Sequence, residues 1–201
     1  MNEEFIPLSQ LNAAALKELA GLHMQVMHSL LSELGAALVL RYYQCAQMEP
    51  SALGLCKLSN QGAVEGWAMG SPDPSALNAR LRQPFPWFAG QMLRLACTHP
   101  GSLLHLSGSI LGASAANQVT PGQVELTYIG VAPSAQGKGL GTSLLAAFCQ
   151  EARQAGYRSV ALSVETDNPA AIRLYTSFGF KTTSIFREGR FERQRMEYRL
   201  T

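Results

Sequence analysis

The sequence has little charge and no long apolar stretch. Charged residues make up 15% of its 201 residues, and 16 basic against 14 acidic side chains leave a net charge of +2. A balance this even argues against nucleic acid as the main partner. Apolar runs are short: the run at 36–40, for example, stops at Arg41, whereas a membrane span needs ~18 apolar residues. We therefore expect no nucleic-acid partner and no membrane partner.

Cysteine and targeting signals are also sparse. The four cysteines are Cys45, Cys56, Cys97 and Cys149. Their spacing does not suit a zinc knuckle or a redox pair, and they are too few for a disulfide scaffold. The N-terminus carries Glu3 and Glu4 rather than a basic stretch followed by an apolar one, so we expect no secretory signal. The sequence predicts a cytoplasmic protein with four buried, reduced thiols, and no histidine has metal-ligand spacing, so we predict no metal site.

Periodicity predicts an α/β domain over 1–201. Apolar residues recur at helical spacing from 11 to 47, with a break at Gly35, and helix is also expected within 73–118. Strands are expected at 52–58, 63–69, 124–131, 160–164, 180–186 and 193–200. Helices are expected from Thr142 and after Asn168, which is followed by proline as at many helix starts. This order of elements implies a sheet with helices on its faces.

Three glycines alternate between a predicted strand end and a predicted helix start, at Gly137, Gly139 and Gly141. Glycine permits positive dihedrals and a close approach of backbone to ligand. Amides at a helix N-terminus attract anions, and Lys138 adds a cation. The alternative is a connector chosen only for tight packing. A Walker loop would need Ser or Thr after Lys138, and a dinucleotide fingerprint would need GxGxxG; neither is present.

Gln136, Gly139 and Gly141 spell QxxGxG, and here the sequence resembles the GCN5-related N-acetyltransferases (GNAT). A second motif, LxVxxxNxxAxxLYxxxGF, follows at the spacing typical of that family. Its residues are Leu162, Val164, Asn168, Ala171, Leu174, Tyr175, Gly179 and Phe180. The resemblance covers about 123–200 and fits 1–70 only loosely. It leaves 73–118 unmatched, and we therefore expect this segment to be a largely helical insertion.

The resemblance implies a mixed, mostly antiparallel central sheet with helices on both faces. It also implies that 123–180 forms an acetyl-CoA-binding core, in which a bulged strand separates from its neighbour and leaves room for the pantetheine arm. The implied coenzyme-binding residues are Ile129, Gly130, Val131, Gln136, Gly137, Lys138, Gly139, Leu140, Gly141, Thr142, Asn168, Ala171 and Tyr175.

The resemblance also implies three catalytic groups. The amide of Val131 would stabilise a tetrahedral oxyanion, and Tyr175 would protonate the coenzyme thiolate; the alternative for Tyr175 is a core tyrosine. Glu125, the only carboxylate between Asp73 and Glu151, aligns with a glutamate that serves several members as general base. Its alternative is a strand-end glutamate that faces solvent or pairs with an arginine.

The expected reaction is acetyl transfer to a primary amine of a small molecule, by direct attack through a tetrahedral intermediate. The alternatives are N-terminal acetylation of a protein and a non-catalytic acyl-CoA sensor. The sequence leaves a homodimer open. Seven basic residues lie within 173–201 against three acidic ones; they could meet an anionic ligand, but we expect a solvated face.

Overall fold

The structure, a computed structural model, describes residues 4–98, 120–188 and 191–200. Its strands are β1 (Ile6–Pro7), β2 (Leu53–Leu58), β3 (Val64–Ser71), β4 (Gln123–Val131), β5 (Ser159–Glu165), β6 (Lys181–Glu188) and β7 (Phe191–Arg199). Its helices are α1 (Ala13–Val26), α2 (Leu30–Glu33), α3 (Ala36–Gln47), α4 (Pro74–Leu81), α5 (Phe85–Thr98), α6 (Leu140–Gln154) and α7 (Pro169–Phe178).

The strands form one seven-stranded sheet in the order β1-β2-β3-β4-β5-β7-β6. Every neighbouring pair is antiparallel except β4 and β5. The parallel pair needs a long crossover, which α6 supplies. The expected mixed, mostly antiparallel sheet with helices on both faces is thus confirmed.

The two sheet faces bury separate apolar clusters. One cluster lies under α1 and α3 and contains Trp67 and Tyr43; the other lies under α6 and contains Phe148 and Leu144. Successive residues of a strand point to opposite faces, so β3 contributes Trp67 to the first cluster and Ala68 to the second. The first cluster ends at β4, which leaves the face of β5 and β7 beside it available for polar side chains.

The N-terminal helices begin at polar caps. Asn12 Oδ1 accepts a hydrogen bond from the amide of Ala15, 2.9 Å away, and satisfies an amide that α1 leaves open. The predicted break at Gly35 is confirmed, since this residue has a φ of +93° and precedes α3. The short helix α2 between α1 and α3 was not predicted.

The start of the expected insertion is helical. Asp73 caps α4 by accepting from the amide of Ala76, and α5 follows; the remainder, 99–118, lies outside the described residues. One expectation here is wrong: Cys97 is exposed, whereas Cys45, Cys56 and Cys149 are buried. Among the described helices, none is long and apolar enough to cross a membrane.

Candidate active site

Strands β4 and β5 pair over three residues and then separate. The pairing runs from Gln123 opposite Ser159 to Glu125 opposite Ala161, and β4 continues to Val131. Against β3, the register shifts between Met69 and Gly70, which leaves Thr127 as an extra residue in β4. The structure therefore contains the bulge and the strand separation that the family resemblance implies. We call the opening beyond Glu125 the fork.

The amides of β4 alternate between β3 and the fork. The amide of Ala132 donates to the carbonyl of Glu65 at 2.8 Å, and Gly130 lies opposite Trp67. In an antiparallel ladder, residues between hydrogen-bonded pairs direct their backbone groups to the other side. The N–H groups of Ile129 and Val131 therefore point into the fork, where an added strand would bind.

The glycine loop begins helix α6. Gly137 and Gly139 have φ values of +74° and +84°, which a residue with a side chain rarely adopts. An added Cβ would meet nothing within 4 Å at either position, so the backbone is accessible. The amides of Leu140 and Gly141, at the start of α6, have no intrahelical acceptor, whereas those of Thr142 and Ser143 both donate to the carbonyl of Gly139. The loop therefore presents donors and a positive helix end to an anion.

Two side chains of the loop act within the protein. Gln136 Nε2 donates to the carbonyl of Val131 at 3.1 Å, which ties the loop to the end of β4. Lys138 Nζ donates to the carbonyl of Ser134 at 2.8 Å and is exposed. Leu140 points its side chain into the cluster under α6, so only its backbone is available to a ligand. The glutamine of the motif therefore has a structural role, because its hydrogen bond links the glycine loop to the end of β4 at the fork.

Helix α7 converges on the same place. A Cβ on Gly141 would lie 3.6 Å from Leu174 Cδ2 and 3.8 Å from Val131 Cγ2. The loop, the end of β4 and α7 therefore meet at Gly141. Tyr175, the next residue of α7, belongs to the buried cluster under α6.

The two polar motif residues of α7 have distinct surroundings. Asn168 Oδ1 accepts from the amide of Ala171 at 3.1 Å and caps the helix, which leaves its Nδ2 as a donor. Tyr175 is buried beside Phe180, and this burial raises the pKa of its hydroxyl above the ordinary value. The phenol is therefore neutral and holds a proton.

A cavity of about 220 Å³ lies on the opposite face of the fork. Seven elements and the segment before α2 line it. Its polar and charged members are Ser29, Tyr42, Asn78, Arg82, Glu125, Thr127, Tyr128, Ser163 and Arg193. Leu31, Leu81 and Phe88 add apolar surface. We call it the acceptor-side cavity, because it reaches β4 from the face away from the glycine loop.

Glu125 lines this cavity and forms a buried ion pair with Arg195. Arg195 Nη1 donates to Glu125 Oε2 at 2.6 Å and to Ser163 Oγ at 3.2 Å. Both charged side chains are only 8% exposed, and charge-assisted bonds in such surroundings are strong. Arg195 lies opposite Ser163 in the β5–β7 ladder, so this ion pair crosses β5 at the point where the fork begins.

A second, buried hydrogen-bond network lies at the start of α2, where Ser29 is the N-cap residue. His23 bonds Tyr43 through Nδ1 at 2.8 Å and Ser29 through Nε2 at 3.3 Å. Ser29 also bonds Ser32, whose hydroxyl donates to the carbonyl of Met27. Ser29 must therefore donate to Ser32, His23 Nε2 to Ser29, and Tyr43 to His23 Nδ1, which assigns the tautomer. Burial lowers the pKa of His23 to about 4, so the ring is neutral.

The sequence analysis named more residues of the glycine-loop side of the fork than of the cavity on its other face. It missed Arg195 and Arg193, which it assigned to a solvated basic face, although Arg195 is buried and the Arg193 side chain is 17% exposed. The sequence did hold one indication of this arrangement. Arg193 and Arg195 are two residues apart in a predicted strand, so their side chains share one face of the sheet. It also missed Tyr128 and Ser163. In the part of the chain that is described, no cluster of three metal-ligating side chains occurs.

The comparison with protein families decides where this architecture belongs. The family described as acetyltransferase (GNAT) matches residues 71–180, from the last residue of β3 to the second residue after α7. This match covers more than half of the chain and includes the fork and the glycine loop. The chain belongs to the GNAT acetyltransferase family.

Relatives with curated names match over shorter segments. A mycothiol acetyltransferase from Renibacterium salmoninarum is 35% identical over 94 residues, which are 47% of this chain and 27% of that protein. The chain thus spans well under two thirds of the length of this relative.

Solved structures share the fold over nearly the whole chain. The ribosomal-protein-S18-alanine N-acetyltransferase from Escherichia coli is 18% identical with a TM-score of 0.61, over 98% of this chain and 94% of that one. A phosphinothricin acetyltransferase from Sinorhizobium meliloti, in complex with acetyl-CoA, is 18% identical with a TM-score of 0.60, over 100% of this chain and 89% of that one. At these identities, the likeness establishes the fold alone.

Proposed function

We propose that this GNAT protein transfers an acetyl group from acetyl-CoA to a primary amine of a small molecule. The observation that carries the proposal is the fork between β4 and β5, into which backbone amides of β4 point. The glycine loop lies on one face of the fork, and the acceptor-side cavity reaches β4 on the other face. A donor and an acceptor can therefore meet at Val131 from opposite faces of the sheet.

The residues of the coenzyme side suit a diphosphate and an extended arm. The amides of Leu140 and Gly141 and the positive end of α6 would bind the diphosphate. The backbone of Ile129 and Val131 would pair with the pantetheine amides as a neighbouring strand does, and Asn168 Nδ2 would add one donor. Acetyl-CoA supplies the activated acetyl group when it is bound.

The acceptor side suits an amine nucleophile. Glu125 reaches the cavity as a carboxylate, positioned by Arg195, which also donates to Ser163. It would accept the proton of the amine directly or through water. The Val131 amide would stabilise the oxyanion; a single donor of this kind contributes roughly 3 kcal/mol to transition-state stabilisation.

The bond changes balance with these groups. The amine nitrogen forms a bond to the acetyl carbon, the carbon–sulfur bond breaks, and the amine proton passes to Glu125. Tyr175 would donate its proton to the departing thiolate, which its buried, neutral phenol permits. The small size of the cavity favours a small molecule over a protein N-terminus as acceptor.

The decisive experiment combines coenzyme binding with thiol release. Calorimetric titration should give a saturable isotherm with acetyl-CoA, and an amine panel should release free thiol only in the presence of an acceptor. Binding without thiol release for any amine would instead favour an acyl-CoA sensor. Absence of binding would overturn the proposal.

A further inference from the structure

The acceptor-side cavity lies between two walls of different character. The strands provide a polar wall, with Glu125, Thr127, Ser163 and Arg193. Helix α2 and the residue after it, together with α4 and α5, provide a wall that is mostly apolar, with Leu30, Leu31, Leu34, Leu81 and Phe88. Four of these five side chains belong to the cluster under α1 and α3 or pack against it. The apolar wall is therefore continuous with the core of the protein.

The charged groups of this cavity are already engaged. Among the described residues, those that line it are Glu125, Arg82 and Arg193. Glu125 is paired with Arg195 at 2.6 Å. Arg193 Nη2 lies 4.0 Å from a carboxylate oxygen of Glu165, and Arg82, like the other two, interacts with other groups of the chain. A second charge on the acceptor would have to displace one of these partners or stay unpaired, and an unpaired charge in a partly buried site is unfavourable.

The mouth of the cavity lies at the end of α4. Of the lining residues, Asn78 and Arg82 are exposed, whereas the others are buried or half-buried. These two residues are four apart, so they lie on one face of the helix and its last turn. An acceptor that enters past them leaves the polar mouth behind and meets the leucines of α2 inside.

The two walls determine how an amine must lie. The cavity follows β4 from Glu125 to Tyr128, and Val131 is three residues further along the strand. An amine placed over Thr127 and Tyr128 therefore lies between the proposed base and the proposed acetyl position. The remainder of the molecule then extends away from the sheet, toward α2 and α5, where the wall is apolar.

The volume of the cavity suits a compact apolar group. It is about 220 Å³, and an apolar protein cavity of ~150 Å³ already accommodates benzene. One aromatic ring or a short alkyl chain can therefore enter together with its amine. Burial of such a group against leucine and phenylalanine side chains stabilises the complex by removing apolar surface from water.

We propose that the acceptor is a primary amine on an uncharged, apolar body, which packs against Leu30, Leu34 and Phe88 while the amine lies at the fork. This inference rests on the proposed acetyl transfer and specifies its substrate class. Amines that carry a second charge, whether a carboxylate or a second ammonium group, are poor acceptors.

The test compares amines that differ only in their body, with kcat/KM measured by thiol release. In the series from ethylamine to hexylamine, each added methylene should raise kcat/KM about two- to fourfold until the cavity is filled. Phenethylamine should exceed phenylalanine, which adds a carboxylate, by at least tenfold. Hexylamine should exceed hexamethylenediamine, which adds an ammonium group, by a similar factor.

Three variants make the result specific. L30A removes apolar surface from the wall and should lower kcat/KM for hexylamine about fivefold more than for ethylamine. L30W fills part of the cavity and should move the best chain length to a shorter amine. L40A truncates a half-buried leucine of α3 outside the cavity lining and should leave the chain-length profile unchanged. Melting temperatures identify any variant that does not fold, and the comparison of amines with the unaltered protein then carries the test.

The outcomes separate this inference from the proposed function. Equal turnover of phenethylamine and phenylalanine, or the highest turnover with an amino acid or a diamine, would overturn the inference and leave acetyl transfer intact. Identical chain-length profiles for L30A and L40A would do the same. Failure of acetyl-CoA to bind, or binding with no amine acetylated, would overturn both.

Discussion

The two sides of the fork are built from different parts of the chain. On the side of the glycine loop, the groups available to a ligand are mostly backbone amides, at Val131, Leu140 and Gly141, exposed by strand separation and by glycine dihedrals. In the acceptor-side cavity they are side chains, and they come from seven elements and the segment before α2. A site made of backbone amides tolerates variation in side chains, but it depends on the backbone conformation of the loop and the strand. A site made of side chains can acquire a different ligand preference through single substitutions, without any change in the backbone.

The strongest way to break this comparison is to remove Arg195. R195Q leaves the Glu125 carboxylate buried without its counterion, and the loss of one partner of a buried pair costs about 3–5 kcal/mol of folding stability. The double variant E125Q/R195Q should recover much of that loss. Urea denaturation of both singles and the double measures the coupling. Strictly additive losses would show that the pair does not act as a unit.

The buried histidine network should respond to acid. The pKa of His23 is about 4 in the folded protein, below the ~6.5 of an unfolded chain. The unfolded state therefore binds more protons between these values, so stability is unchanged above about pH 7 and falls by about 3 kcal/mol toward pH 4. Denaturation midpoints across pH should show this loss.

The glutamine variant H23Q is its control. It replaces the titrating ring by a neutral group that still forms hydrogen bonds, so the pH-dependent part of the stability should shrink. An identical pH profile in H23Q would assign the acid sensitivity to other groups.

Tyr175 is the side chain that we propose as the proton donor to the coenzyme thiolate, and a phenylalanine variant tests this role. Y175F should lower turnover by more than tenfold, about 1.4 kcal/mol in the barrier, with little change in acetyl-CoA affinity. Y157F, which also alters a tyrosine of the cluster under α6, should leave turnover unchanged. An unaltered rate in Y175F would remove Tyr175 from the acid role.

The glycine loop can be compared with a glycine of nearly identical conformation. Gly139 and Gly62 have φ values of +84° and +82°, and neither has atoms within 4 Å of an added Cβ. Alanine at either position should cost a similar ~1 kcal/mol of stability. Only G139A should weaken acetyl-CoA binding, by about tenfold, since Gly62 lies in the β2–β3 turn. Equal affinities in both variants would contradict the anion-binding assignment.

The smallest expected effect separates a helix cap from a ligand contact. Asn168 and Asn12 cap their helices through the same bond, to the amide three residues on. Replacement of either by alanine should cost ~1 kcal/mol of stability. The N168A variant should additionally lower coenzyme affinity a few-fold, and N12A should not. Unchanged affinity in N168A would leave Asn168 with the cap alone.

The same contrast explains what could be predicted from the sequence. A backbone site needs glycine at fixed spacing and a helix start, so Gly139, Gly141 and Asn168 carry their role in local sequence. The partnership of Glu125 with Arg195 joins residues 70 apart, and its only local sign was strand alternation. The cavity wall of Ser29, Asn78 and Arg82 requires knowledge of how α2 and α4 pack over the sheet, which no spacing encodes.

The extra residue at Thr127 has a consequence for how this chain can change. Past that point, odd-numbered Ile129 and Val131 join the cluster under α6, while Tyr128 and Gly130 face the other way; before it, even-numbered Val124 and Leu126 join the cluster under α6. Without Thr127 the alternation would be regular, so its loss would remove the bulge, straighten β4 and narrow the fork. Length, rather than identity, is the conserved quantity we expect at this position, so a shortened strand should abolish turnover where many replacements of Thr127 would be tolerated.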